Sequence, residues 1–130
     1  MREVYDFLKK VGNFYLATTD GDLPRVRIFS NTDLFEGRIY LQTNKTKDVS
    51  RQLFANGNVE LIAYDGEVWC RISARAVNDD RIAPKQSMID ANPLLRDWFS
   101  ADDDKTHVVY LADATAKFES LFGEPKTVTF

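Results

Sequence analysis

The 130-residue chain is 44% hydrophobic and 28% charged, a composition that supports one globular domain over residues 1–130 and excludes intrinsic disorder. Its net charge of -3 argues against nucleic acid as a partner, because neutralising phosphates takes a basic face. One cysteine, Cys70, excludes an intrachain disulfide and a multi-cysteine metal centre, and no run approaches the ~20 apolar residues that span a bilayer, so a cytoplasmic, non-membrane protein is expected.

Val4, Phe7, Leu8 and Val11 fall at helical spacing before Gly12 and predict a helix over residues 2–11. Residues 13–19 read as a strand closed by Asp20-Gly21. A second strand is expected over residues 25–34. It carries Arg25 and Arg27 at alternate positions, so both guanidiniums leave one face while Val26 and Ile28 occupy the other. Glu36-Gly37 turns the chain into a strand over residues 38–43, and a helix with Val49, Leu53 and Phe54 as its apolar stripe follows over residues 47–55.

Residues 59–64 and 67–77 pair across Asp65-Gly66, the strongest hairpin signal in the chain. In the later strand Val68, Cys70, Ile72, Ala74 and Ala76 share one face, and Trp69, Arg71, Ser73 and Arg75 the other. A helix is expected over residues 81–91, and a second one after Asn92-Pro93 that docks Leu94, Leu95, Trp98 and Phe99. An acidic loop at 101–105, strands at 107–111 and 114–121, and an apolar tail with Val128 and Phe130 complete the chain. Seven short strands with two helical insertions describe a small antiparallel barrel.

The segment from Leu41 to Leu53, LQTNKTKDVSRQL, carries the functional signal. A strand ends in a turn of hydroxyl, amide and ammonium groups, and that turn opens a helix at the positive end of its dipole. Such a constellation suits a phosphate or another small anion. A solvated loop with Thr46 capping the helix is the plainer alternative. Arg25 and Arg27 could likewise form surface ion pairs, each worth roughly 0–1 kcal/mol, but a partly desolvated phosphate is the stronger use of two guanidiniums on one face. Cys70 reads as a small buried hydrophobe, and His107, the single histidine, supports neither a metal cluster nor a catalytic triad.

Four segments in this order, DLPRVRIF (22–29), YLQTNKTKDVSRQL (40–53), VWCRISARAVND (68–79) and FGEPKTVTF (122–130), resemble the pyridoxamine 5′-phosphate oxidase-like, FMN-binding split-barrel family, and within it the small nitroimidazole-resistance type. The resemblance implies a mainly β split barrel and a homodimer holding FMN in clefts between subunits. By position it nominates Arg27, Thr43, Asn44 and Lys47 for the phosphate. It places Arg25, Val26, Ile28 and Leu41 along the cofactor, and Trp69 and Arg71 at the dimer contact or flavin edge. Relatives of this fold also bind deazaflavin or haem. Ala74 stands where the family usually has glycine, and the tail GEPKTVTF lacks the arginine and histidine that grip pyridoxal phosphate in the true oxidases. The expected activity is therefore FMN-dependent reduction of a small flat acceptor such as a nitroaromatic or quinone, with a non-catalytic flavin-binding or sensor module, or a deazaflavin- or haem-binding split-barrel protein, as the alternatives.

Overall fold

The computed structural model describes residues 1–130. Helix α1 (Arg2–Val11) buries Val4 and Leu8, and Gly12, at φ +84°, ends it by donating its N–H to Leu8 O. Strands β1 (Phe14–Asp20) and β2 (Leu23–Phe29) form a hairpin in register from Phe14↔Phe29 to Asp20↔Leu23. Next come β3 (Thr32–Phe35), β4 (Arg38–Asn44), α2 (Asp48–Ala55), β5 (Asn58–Tyr64) and β6 (Val68–Asn78). Asp65 builds the turn between β5 and β6, where its carboxylate accepts from the N–H groups of Glu67 and Val68. Helix α3 (Ile82–Ala91) and a short 3₁₀ helix (Pro93–Asp97) form an insertion before β7 (Thr106–Ser120) and β8 (Lys126–Thr129).

All pairings are antiparallel, in the order β2-β1-β5-β6-β7-β4-β3 with β8 on β7. Strands β2 and β3 are thus the two ends of the path, yet only Ser30 and Asn31 join them. So short a link spans about 11 Å at most, so the sheet must curl until its edges approach without pairing. The result is the expected split barrel. It also explains why the strand predicted over 25–34 is two strands. The chain leaves one edge at Phe29 and enters the other at Thr32.

Two further expectations are corrected. The strands predicted at 107–111 and 114–121 are one continuous β7, kinked at Asp113 (φ +51°) opposite a register shift between Ser73 and Arg75. That bulge bends the long β6–β7 ribbon around the barrel and interrupts its ladder only locally, with pairing resuming on both sides. The tail is a strand as well, because β8 pairs with β7 from Thr115↔Thr129 to Phe118↔Lys126, which makes eight strands, not seven. Helix α2 begins at Asp48, and the second helix of the insertion is a 3₁₀ turn that buries Leu95 but leaves Leu94 and Trp98 exposed.

Alternation along the strands sends Phe14, Leu16, Ile39, Leu41, Leu61 and Ile72 into one main core, sealed by α1 and α2. A smaller cluster of Tyr40, Met88, Ile89, Leu95, Ala101 and Val108 holds the insertion against the other face of β4 and β7. Polar groups fix α2 in place. His107 on β7, 3% exposed, donates from Nε2 to Asn78 on β6 and accepts the Ser50 hydroxyl of α2 on Nδ1, each at 2.6 Å, while Phe54 stacks on its ring at 4.3 Å. Gly57, just past α2, approaches β6 so closely that a Cβ would lie 2.5 Å from Ala76 O.

Burial, with the Lys45 and Lys85 charges, pushes the His107 pKa from 6.5 down to about 4, and Asp80 opposes the shift. The unfolded chain therefore takes up this proton near pH 6.5, but the folded chain only near pH 4. Stability contributed by the neutral ring is complete above pH 6.5 and is lost as pH falls through this window, by about 3 kcal/mol in all. Urea unfolding between pH 7 and pH 4 should show this loss in the wild type but not in His107→Gln; equal slopes would refute it. Gly57→Ala should cost about 1–3 kcal/mol in the same measurement, since backbone must move to admit the methyl group, and an unchanged midpoint would contradict the close approach.

Candidate functional site

Where the edges of the sheet approach, Ile28 and Phe29 of β2, the link Ser30-Asn31, and Gln42, Thr43 and Asn44 of β4 surround a cleft of about 200 Å³. Lys47 closes one end, and Leu95 and Phe99 of the insertion form an apolar wall. Local chemistry shapes the turn after β4. Asn44 Oδ1 accepts both the N–H and the hydroxyl of Thr46 at 3.0 Å, and Lys47 N–H bonds to Asn44 O, so the chain rotates directly into α2. Thr46 is thereby engaged with Asn44 and caps nothing. Lys47 holds the N-cap position without a side-chain cap bond, and the N–H groups of Asp48 and Val49 find no acceptor in the protein.

Arg27 reaches the helix that this turn opens, from the side of β2 that faces α2, at Gln52, one turn after Asp48. Its Nη1 donates to Thr18 Oγ1 at 2.7 Å and to Leu16 O at 3.1 Å, and its Nη2 donates to Gln52 Oε1 at 2.7 Å. Thr18 and Gln52, both 3% exposed, are themselves joined at 2.6 Å. All of these acceptors are neutral. By contrast, Arg2, Arg51, Arg71, Arg75, Arg81 and Arg96 each have a carboxylate at 2.9 to 3.7 Å. Burial lowers the Arg27 pKa from its ordinary value, with no carboxylate to offset it, and the group stays charged at neutral pH. Its Nε–H and one Nη2–H remain uncommitted. Lys47 and Arg25 also lack a carboxylate partner, although Lys45 in the same turn pairs with Asp80 at 3.3 Å. Half-buried positive charge without a counterion, a hydroxyl, an amide and two free backbone N–H groups form a donor set that fits a phosphate.

The nominated residues divide into four groups. Thr43, Asn44, Lys47 and Ile28 meet at the cleft, whereas Arg27 does not line it but is anchored to Gln52 of α2, the helix that starts there. Arg25 is exposed, and its side chain donates only to Pro24 O. Leu41 is placed elsewhere: at 1% exposure it belongs to the main core, with Ile39 on the same face of β4. Trp69 and Arg71 are not brought to the cleft of the same chain either. They lie on β6, three ladders or about 14 Å from β2, where Trp69 meets Tyr64 edge-on and Arg71 pairs with Glu60 at 3.7 Å. The register Ile28↔Tyr15↔Ile62↔Arg71 puts them on the outer sheet face shared with Val26 and Ile28.

The sequence reading did not nominate Thr18, Ser30, Asn31, Gln42, Gln52, Leu95 or Phe99. Gln42 did leave a signal, as a polar residue continuing the apolar run Ile39-Tyr40-Leu41 of a strand buried on both faces. Thr18 and Gln52 left none, because only the folded hairpin and helix bring them to Arg27.

Comparison with protein-family models and with curated proteins finds no match. Among solved structures, the chain is similar to a NimC/NimA family protein from Clostridium acetobutylicum, with a TM-score of 0.96 and 35% identity over 100% of this chain and 92% of that one. It also resembles a protein from the same organism described as related to general stress protein 26 and of the pyridoxinephosphate oxidase family (TM-score 0.71, 16% identity, 99% of this chain and 92% of that one). A heme binding protein from Mycobacterium smegmatis matches with a TM-score of 0.69 and 15% identity, over 95% of this chain and 55% of that one. At these lower identities the likeness shows the fold alone. With a relative 35% identical along its whole length, and with the split antiparallel barrel described above, the chain belongs to the NimC/NimA family of pyridoxamine 5′-phosphate oxidase-like proteins.

Proposed function

We propose that the protein binds FMN and acts as a flavin-dependent oxidoreductase on a small flat electron acceptor such as a nitroaromatic or a quinone. The observation that carries this reading is the half-buried Arg27, held by neutral acceptors only and anchored to Gln52 of α2, the helix whose uncapped start lies at the cleft with Lys47, Thr43 and Asn44. A phosphomonoester supplies the missing negative charge there and accepts from the free N–H groups. His107, the single histidine, has both ring nitrogens engaged and offers none to a haem iron, which favours a flavin over haem. Bound FMN would supply the electron-transfer chemistry for which the side chains have no equivalent. The protein's own part is to anchor the phosphate, orient the ring and leave one ring face open.

A cleft of about 200 Å³ is smaller than the roughly 300–1,000 Å³ of typical small-molecule sites, so one chain does not enclose such a ligand. Tyr15, Val26, Ile28 and Tyr64, each at least 50% exposed, line the outer sheet face, and a groove of about 440 Å³ lies among Tyr64, Trp69, Leu121 and Phe122 beyond it. In this reading two copies pair through that face. The partner's aromatic groove then completes the ring end of each site, which gives Trp69 and Arg71 a place at the contact.

Purified protein loaded with FMN is expected to show a bound-flavin spectrum, to sediment as a dimer, and to oxidise NAD(P)H in the presence of a nitroimidazole or a quinone. Flavin binding with no turnover of any acceptor would leave the non-catalytic module as the function. A monomer at full flavin occupancy would contradict the interfacial site.

A further inference from the structure

Gln42 has no part in holding a phosphate, yet it lines the same cleft and is 7% exposed. Its Nε2 donates to Thr43 O at 3.0 Å, which identifies the other amide atom as the oxygen. That Oε1 has no partner in the protein. It is also not sealed from solvent, since Thr32 Oγ1 is the only side-chain polar atom that is both fully enclosed and unpartnered. The side chain lies on the β4 face of Tyr40, between the smaller core cluster and the cleft, with Leu95 and Phe99 as the apolar wall around it. A lone acceptor in such a place repels phosphate oxygens. It asks instead for a hydroxyl or N–H donor.

We propose that Gln42 is a specificity residue that accepts a hydrogen bond from the hydroxylated or N–H-bearing part of the ligand, so that the cleft selects a phosphomonoester with a donor next to its phosphate. The inference rests on the FMN reading and deepens it, because the ribityl hydroxyls of FMN provide such donors. Ligands whose polar ends are carboxylates, such as haem propionates, present acceptors to an acceptor and are disfavoured. The insertion of α3 and the 3₁₀ helix gains a role in this arrangement: Leu95 and Phe99 limit the water that competes for the amide oxygen.

The test is quenching of flavin fluorescence by titration with FMN and with riboflavin, which lacks the phosphate, using wild type, Gln42→Met and Gln42→Glu. Gln42→Met keeps the shape and loses the acceptor, and should weaken both ligands by the same factor, about tenfold. Gln42→Glu keeps an acceptor but loses the bond to Thr43 O. It should retain riboflavin affinity while weakening FMN through charge repulsion. Riboflavin binding that is unchanged in Gln42→Met, or lost equally in both variants, overturns the proposal while leaving the FMN reading in place. Failure of wild type to bind either flavin overturns both.

Discussion

Ser30 and Asn31 are the only residues between the two edges of an eight-stranded sheet. Because so short a link cannot cross a flat sheet, the whole β structure is obliged to curl, and the curl is where the functional geometry originates. It brings the end of β2, the end of β4 and the start of α2 to one place. The edges approach but do not pair, so a cleft remains between them. The bulge at Ser73/Arg75 and the kink at Asp113 let β6 and β7 follow the same curvature with only a local interruption of their ladder.

Within this frame the charge distribution is uneven in an informative way. The exposed arginines of the barrel are mostly paired with carboxylates, where the contribution of each pair is small. The half-buried Arg27 is not, although desolvation makes an unpaired charge costlier there. Thr18 and Gln52 hold its guanidinium in one orientation with neutral oxygens, so the ordering of the side chain is complete before any ligand arrives. The His107 network serves the same end. By tying Ser50 to Asn78 it fixes α2, and with it the uncapped N–H groups that face the ligand in the proposed reading.

How far the sequence was legible depended on how local each cause was. The hairpins at Asp20-Gly21, Glu36-Gly37 and Asp65-Gly66 were readable because the turn chemistry lies within the turn itself. The Thr43–Lys47 turn was readable for the same reason. The break at Ser30-Asn31 was not, since those residues form an ordinary polar pair and only sheet closure demands a break there. Leu41 was assigned to the ligand by its place in a motif, whereas alternation along β4 sends it into the core. Val128 was read as part of an apolar tail because β8 is short and depends on β7 for every one of its ladder partners.

Arg27 is a half-buried cation held by neutral acceptors alone, and in the proposed function a phosphate supplies its counter-charge. The measurement that tests it most directly is the affinity of FMN for wild type and for Arg27→Met, at low and at high salt, with thermal unfolding of both apo proteins alongside. Arg27→Met should fold, lose about tenfold to a hundredfold in FMN affinity, and show a weaker dependence of that affinity on salt. Equal affinity and equal salt dependence in a folded variant would contradict it.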